Sequence, residues 1–201
     1  MKTIKSFLPK AVILVLLFTF FCGVIYTAAV TGIAQILFPY QANGSIIEIE
    51  GKKYGSALLG QQYSDDSHMW GRIMNIDTTT FIGEDGKPLI YSWPSNLSPA
   101  GDEYEALVAK RIEKIRAAHP NKGETAIPVD LVTCSGSGLD PSISIAAAMY
   151  QAERIAKNND MTEKAVEALI DKCTDHRILG IFGEETVNVL KFNLMLDGIL
   201  K

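Results

Sequence analysis

The chain has 201 residues, 47% of them hydrophobic and 21% charged, with a net charge of −4. That composition excludes a disordered chain, a collagen-like repeat and a disulfide-dense mini-protein. Its acidic balance argues against a nucleic-acid binder, because neutralising phosphates requires a basic surface. The averages hide a partition: Lys2, Lys5 and Lys10 give the first ten residues a charge of +3, and nothing from Ala11 to Ile47 is charged. The remainder carries 16 basic and 23 acidic side chains, a balance of −7.

Residues 11–38 read AVILVLLFTFFCGVIYTAAVTGIAQILF, with Gln35 the only strongly polar side chain. Roughly 20 helical residues cross a hydrocarbon core, so this stretch predicts one transmembrane helix, ended by Pro39. Gly23, Thr27, Thr31 and Gly32 let a second helix approach closely, although transmembrane helices are rich in small residues in any case. A cleaved signal peptide is the rival reading, with Thr27-Ala28-Ala29 as its cleavage site. The apolar run is too long for one and continues past that site. Lysines before the helix, and none for a dozen residues after it, place the N-terminus in the cytoplasm. The expected organisation is a basic cytoplasmic segment (1–10), a membrane helix (11–38) and an extracytoplasmic domain (39–201).

Within that domain Ser45–Glu50 predicts a strand closed by Gly51, and the Gly- and Pro-rich residues 63–100 predict loop with short strands. Asp102 is expected to cap a helix over 103–118, ended by His119-Pro120. Residues 127–133 predict a short extended run. Asp140-Pro141 predicts the start of a helix reaching Lys157, and Thr162 caps another ending near Cys173. Leu190, Phe192, Leu194 and Leu196 alternate with polar residues and Met195, which predicts a half-buried strand. The fold class is α/β or α+β behind a single N-terminal transmembrane helix.

Enzyme signatures are missing. His68, His119 and His176 stand apart from any zinc spacing, Asp65-Asp66 is too short for a calcium loop, and no GxSxG elbow supports Ser135 or Ser137 as a nucleophile. There is no GxxxxGK[ST] phosphate loop and no DKTGT-like phosphorylation segment. The most distinctive stretch is Val132-Thr-Cys-Ser-Gly-Ser-Gly-Leu-Asp-Pro141. Ser135, Gly136, Ser137 and Gly138 admit two readings: an anion- or nucleotide-binding nest, or a well-capped turn. Asp140 adds negative charge where a phosphate would sit, which favours the turn. Cys134 and Cys173 are read as buried small residues ahead of a disulfide pair. Trp70 and Trp93 are read as core or interface.

Several ordered motifs then match one family. Gln41-Ala-Asn-Gly-Ser45, Gly55-Ser-Ala-Leu-Leu-Gly-Gln61, Ile127–Pro141, Tyr150-Gln-Ala-Glu-Arg154, Leu179-Gly-Ile-Phe-Gly-Glu184 and Val187-Asn-Val-Leu190 resemble, over nearly the whole chain, the C subunit of the Kdp potassium-transporting P-type ATPase. There are departures: Met69–Met74 keeps Arg72 of an aromatic-x-x-Arg-Pro-Ser segment but loses Pro-Ser, and Trp93-Pro94 replaces two glycines. Cys134 stands where a small residue such as Ala is usual. The resemblance implies a non-catalytic subunit of a bacterial or archaeal plasma-membrane complex, needed for assembly and acting as a catalytic chaperone that raises ATP affinity. Its implied partners are a channel-like potassium-binding subunit, a P-type ATP-hydrolysing subunit, a small single-span subunit and membrane lipid. No cofactor of its own is implied; ATP and Mg belong to the hydrolysing subunit. Arg72 joins Gly23, Thr27, Thr31 and Gly32 as a candidate interface residue. Outside the family, the alternatives are an anchored extracytoplasmic sensor or binding domain acting alone, and an anchored hydrolase that the absent motifs disfavour.

Overall fold

The computed structural model describes residues 2–201, with side chains from Lys5 onward; Met1, in the basic N-terminal segment, lies outside the described residues. The chain divides into two units, the first ending at Ile46 and the second running from Ile47 to Lys201.

The first unit is helical because an unbroken apolar run leaves the backbone to satisfy its own polar groups. Helix α1 (Lys2–Phe18) passes into a π-helical segment (Thr19–Tyr26) and then into α2 (Thr27–Leu37). Together they supply one helix long and apolar enough to cross a membrane, Lys5–Leu37, with a mean hydropathy of 2.5. In the wider π turn the Thr27 hydroxyl donates to the Cys22 carbonyl at 3.1 Å. Phe38 leaves helical geometry ahead of Pro39, which opens the short α3 (Pro39–Ala42). Across this break the Asn43 side chain donates to Gln35 Oε1 at 3.1 Å and to the Pro39 carbonyl at 2.7 Å. Gln35, the polar exception of the apolar run, is satisfied there.

The second unit is α+β. Strands β1 (Ile46–Ile49) and β2 (Lys52–Ser56) form one two-stranded sheet, and β3 (Ile76–Asp77) pairs antiparallel with β4 (Tyr91–Ser92) in another. Helix α4 (Asp102–Ala118) begins with three acidic residues in its first turn, where the helix dipole favours them. Gly101 occupies its cap position in place of the expected Asp102. The third sheet has the order β5-β7-β6, with β7 (Thr186–Asn188) flanked antiparallel by β5 (Ser142–Ser144) and β6 (Thr174–Asp175). Helices α5 (Ile145–Asn158), α6 (Glu163–Lys172) and α7 (Val189–Leu196) complete the unit. Met69, Trp70, Ile115, Ile143, Ile155 and Phe192 are among the core residues at 2% exposure or less.

Three expected elements are corrected. The stretch expected as a strand from Leu190 lies in helix α7, Val189–Leu196: Val189, Leu190, Phe192, Asn193 and Leu194 are all buried, and a short helix covered on most faces mimics strand alternation. Helix α5 starts at Ile145, because Asp140 directs its carboxylate to the Ser142 N–H at 2.9 Å and Ser142–Ser144 joins the sheet. Ser144 is the true cap, accepting from the Ala147 N–H at 3.2 Å. Residues 129–131 form a 3₁₀ turn that buries Asp130 and Leu131, in place of an extended run. The Thr162 cap is as expected, accepting from the Ala165 N–H. All three cysteines are free. Cys173 is buried, its thiol pushed up to about 11 by desolvation, with Sγ 3.2 Å from Met195 Sδ.

Candidate functional site

The Ser/Gly loop after Val132 is held from beneath by Arg72. Ile73 donates to the Thr133 carbonyl at 3.2 Å and bridges Cys134 in parallel, which lays residues 72–75 along the start of the loop. Arg72 Nη2 pairs with Asp130 Oδ1, and its Nε lies 3.3 Å from Asp140 Oδ2. The carboxylates bracket the loop, and each also receives a strand N–H: Ser144 N–H donates to Asp130 Oδ2 at 2.8 Å, and Ser142 N–H to Asp140 Oδ1. One guanidinium against two carboxylates leaves this platform with an excess negative charge.

On the C-terminal side of the loop, three N–H donors are answered by the loop's own oxygens. Gly138 N–H donates to the Ser135 carbonyl, Leu139 N–H to Ser137 Oγ and Asp140 N–H to Ser135 Oγ, at 3.2 to 3.3 Å. The outward carbonyls are taken by other segments. Ser137 O accepts from Ser92 Oγ at 3.0 Å, Gly138 O from Asn75 N–H at 3.2 Å and Leu139 O from Gly60 N–H at 2.7 Å. Glycine is required at 138, where φ is +73° and a Cβ would lie 2.5 Å from Ser92 Oγ and 2.7 Å from the Trp93 carbonyl. At Gly136 a Cβ would meet nothing within 4 Å. The helix that follows begins only at Ile145, so its N-terminal dipole is not presented directly to residues 135–138. Chemically, the arrangement fixes the loop and its charge; among the described residues no group of three or more His, Cys, Asp or Glu side chains is placed to hold a metal.

A second polar cluster lies in the core. Arg154, 5% exposed, stands 4.4 Å over the Trp70 ring. Its Nε donates to His119 Nε2 at 3.1 Å, Nη2 to the His68 carbonyl and Gln151 Oε1, and Nη1 to the Asp66 carbonyl. His119 Nδ1 in turn donates to the Ile115 carbonyl at 2.7 Å, so the ring is neutral, and burial holds its pKa below the ordinary histidine value. Desolvation likewise lowers Arg154, to about 10. Gln151 exchanges two hydrogen bonds with the Trp70 backbone and Asn193 two with that of Met69, so residues 66–70 are clamped on both sides. Gln151 and Arg154 fall in the Tyr150–Arg154 motif, but their joining to His119 and residues 66–70 has no local sequence signature. What the sequence does carry is polar Gln151 and Arg154 inside the apolar stripe of α5.

His68 closes the edge of the clamp, with Nδ1 2.6 Å from Asp65 and Nε2 3.0 Å from Asp197. Burial opposes charge on its ring, but the two carboxylates outweigh burial and raise its pKa. Asp65 is lowered to about 2: burial works against this, and hydrogen bonds from Ser67 and His68 prevail. Of the remaining candidates, Gly23 falls in the π-helical segment and Thr27, Thr31 and Gly32 in α2, all open on the helix surface.

One helix of spanning length and an α+β unit whose central polar groups hold its own loops define a class: a chain with one candidate membrane helix near its N-terminus and a folded α+β unit. The family model for the K+-transporting ATPase c chain, KdpC, matches residues 8–198. The potassium-transporting ATPase KdpC subunit of Clostridium botulinum (strain Alaska E43 / Type E3) is 64% identical over 201 residues, the full length of both chains. That of Clostridium perfringens (strain ATCC 13124) is 60% identical over 192 residues, 96% of this chain and 97% of the relative. The Janthinobacterium sp. (strain Marseille) subunit is 42% identical over 193 residues, 96% of this chain and 98% of the relative. The chain belongs to the KdpC family of K+-transporting ATPase subunits.

Proposed function

We propose that this chain is the anchored, non-catalytic subunit of an ATP-driven potassium-uptake complex in a prokaryotic plasma membrane. Its first ten residues face the cytoplasm, the helix crosses once, and the body lies outside, where it stabilises assembly with the potassium-binding, ATP-hydrolysing and small single-span subunits. The observation that carries this reading is the full-length family match on a chain with one candidate membrane helix. Lysine before the helix and not just after it supports the orientation.

In that orientation Ser135–Gly138 serves as a structural turn, and ATP with Mg is bound by the hydrolysing subunit. Any effect on ATP affinity, the chaperone role, is transmitted through contacts between subunits. The occupied N–H groups at 138–140 and the paired carboxylates at 130 and 140 support this reading. Purification in mild detergent from potassium-starved membranes is expected to bring down two larger membrane proteins with the chain; a chain that runs alone overturns the reading. A Ser137→Ala complex is expected to keep its ATP affinity. Lowered affinity with assembly intact would instead assign nucleotide contact to the loop.

A further inference from the structure

Helix α4 is covered unevenly. Ile115 is its one fully buried residue, while Tyr104, Leu107, Val108 and Ile112 on the same apolar stripe are only half-buried. Beside that stripe runs a groove of about 560 Å³, floored by Ile73, Met74, Leu107 and Ala117. A smaller hollow sharing Ile73, Met74 and Leu107 extends it toward Tyr104 and Cys134. A cleft of this size with an apolar floor and a few polar groups at its edge has the make-up of a binding groove.

The edge is cationic. Lys110, Arg111 and Lys114 line it against one carboxylate, Glu113, on a body whose overall balance is acidic. Arg111 donates to the carbonyls of Leu131 at 2.7 Å and Gly71 at 3.0 Å, so its charge is fixed at the groove without a carboxylate partner. Among the described residues Lys110 and Lys114 are also in no ion pair, since the lysines so engaged are Lys87, Lys122 and Lys191. Lys114 Nζ lies 4.5 Å above the Trp70 ring, and burial together with the Arg111 and Arg154 charges lowers its pKa against the opposing pull of Asp66. An arriving carboxylate would relieve that repulsion.

We propose that this groove receives an acidic segment of a partner subunit, a stretch with at least one Asp or Glu flanked by apolar side chains. The apolar residues cover the exposed length of α4, and the carboxylate meets Lys110 and Lys114. The proposal rests on the reading of the chain as a subunit. Charge complementarity selects the partner: an acidic peptide fits the rim, whereas a second copy packed groove to groove would bring the same cations to it.

The test places a photo-crosslinking amino acid at Leu107 of the full chain, co-expressed with the other subunits and illuminated in membranes. The expected product joins the chain to a partner subunit at a peptide bearing Asp or Glu. The K110E/K114E double variant is expected to lower that yield about tenfold, K110Q/K114Q by less, and rising salt is expected to weaken it. Reversal of Lys164 and Lys172 on α6 is expected to leave it unchanged. Undiminished crosslinking in K110E/K114E overturns the proposal, as does crosslinking at Leu107 to lipid, to a second copy or to nothing while the wild-type chain still co-purifies with its partners. A wild-type chain that purifies alone would instead remove the subunit reading itself.

Discussion

Arg72 sits 23% exposed between Asp130, at 7%, and Asp140, at 36%. Removing a partner from a buried charge costs more than the pair contributes, because the remaining ion is left without compensation. Arg72→Met is therefore expected to lower unfolding stability by about 3 kcal/mol in urea titrations of the full chain in detergent, and Asp140→Asn, at the more exposed end, by less than about 1 kcal/mol. The two loop glycines should behave oppositely. Gly138→Ala forces a left-handed backbone and a Cβ contact under 3 Å, and is expected to cost about 2 kcal/mol or more, while Gly136→Ala should stay within about 0.5 kcal/mol. His68 gives the domain a pH dependence with a defined sign. Its folded pKa is raised above 6.5, so its stabilising contribution is full below that value and fades as pH rises through the raised value. The loss caused by His68→Asn, read from urea midpoints, should be larger near pH 5.5 than near pH 8.5.

Caps set the element boundaries, and their effects can be measured. Ser144→Ala removes the α5 cap and is expected to cost about 1 kcal/mol. Asn188→Ala should cost about twice that, since this buried side chain caps α7 through the Lys191 N–H and also donates to the Ala57 carbonyl at 2.8 Å. Thr162 and the α4 stripe were legible from local signals because their partners lie within a few residues. Asp140-Pro141 was not: as a local signal it opens a helix, but the Pro141 carbonyl accepts from the Val189 N–H and Ser142–Ser144 pairs with β7. Helix α7 looks like a strand in sequence for a related reason, since burial on most of its faces erases the helical period. At the candidate site the Ser/Gly motif was visible in sequence, whereas the joining of Arg72 to Asp130 and Asp140 is a long-range event without a local signature.

At the scale of the molecule, the uneven charge decides more than any motif. The proposed orientation rests on the lysines that precede the helix; acidic residues contribute little to such a choice, so the −7 balance of the remainder neither supports nor opposes it. In the proposed orientation the Ser/Gly loop is external, and the membrane separates it from cytoplasmic ATP. The dependence can be inverted. A chain carrying Lys2→Gln, Lys5→Gln and Lys10→Gln together with Gln41→Lys, Ala42→Lys and Glu48→Lys, the last three at exposed positions, moves the basic flank to the other end of the helix. In the proposed orientation, a Lys201→Cys reporter in a Cys134→Ala background is expected to react in intact cells with a thiol reagent that does not cross membranes. Cys173 should stay silent, being buried with its thiol raised to about 11. In the lysine-swapped chain the reporter should react only after lysis, and co-purification with partner subunits should fall with it. Labelling of the unswapped reporter only after lysis would place the body in the cytoplasm and put residues 135–138 in the compartment that holds ATP.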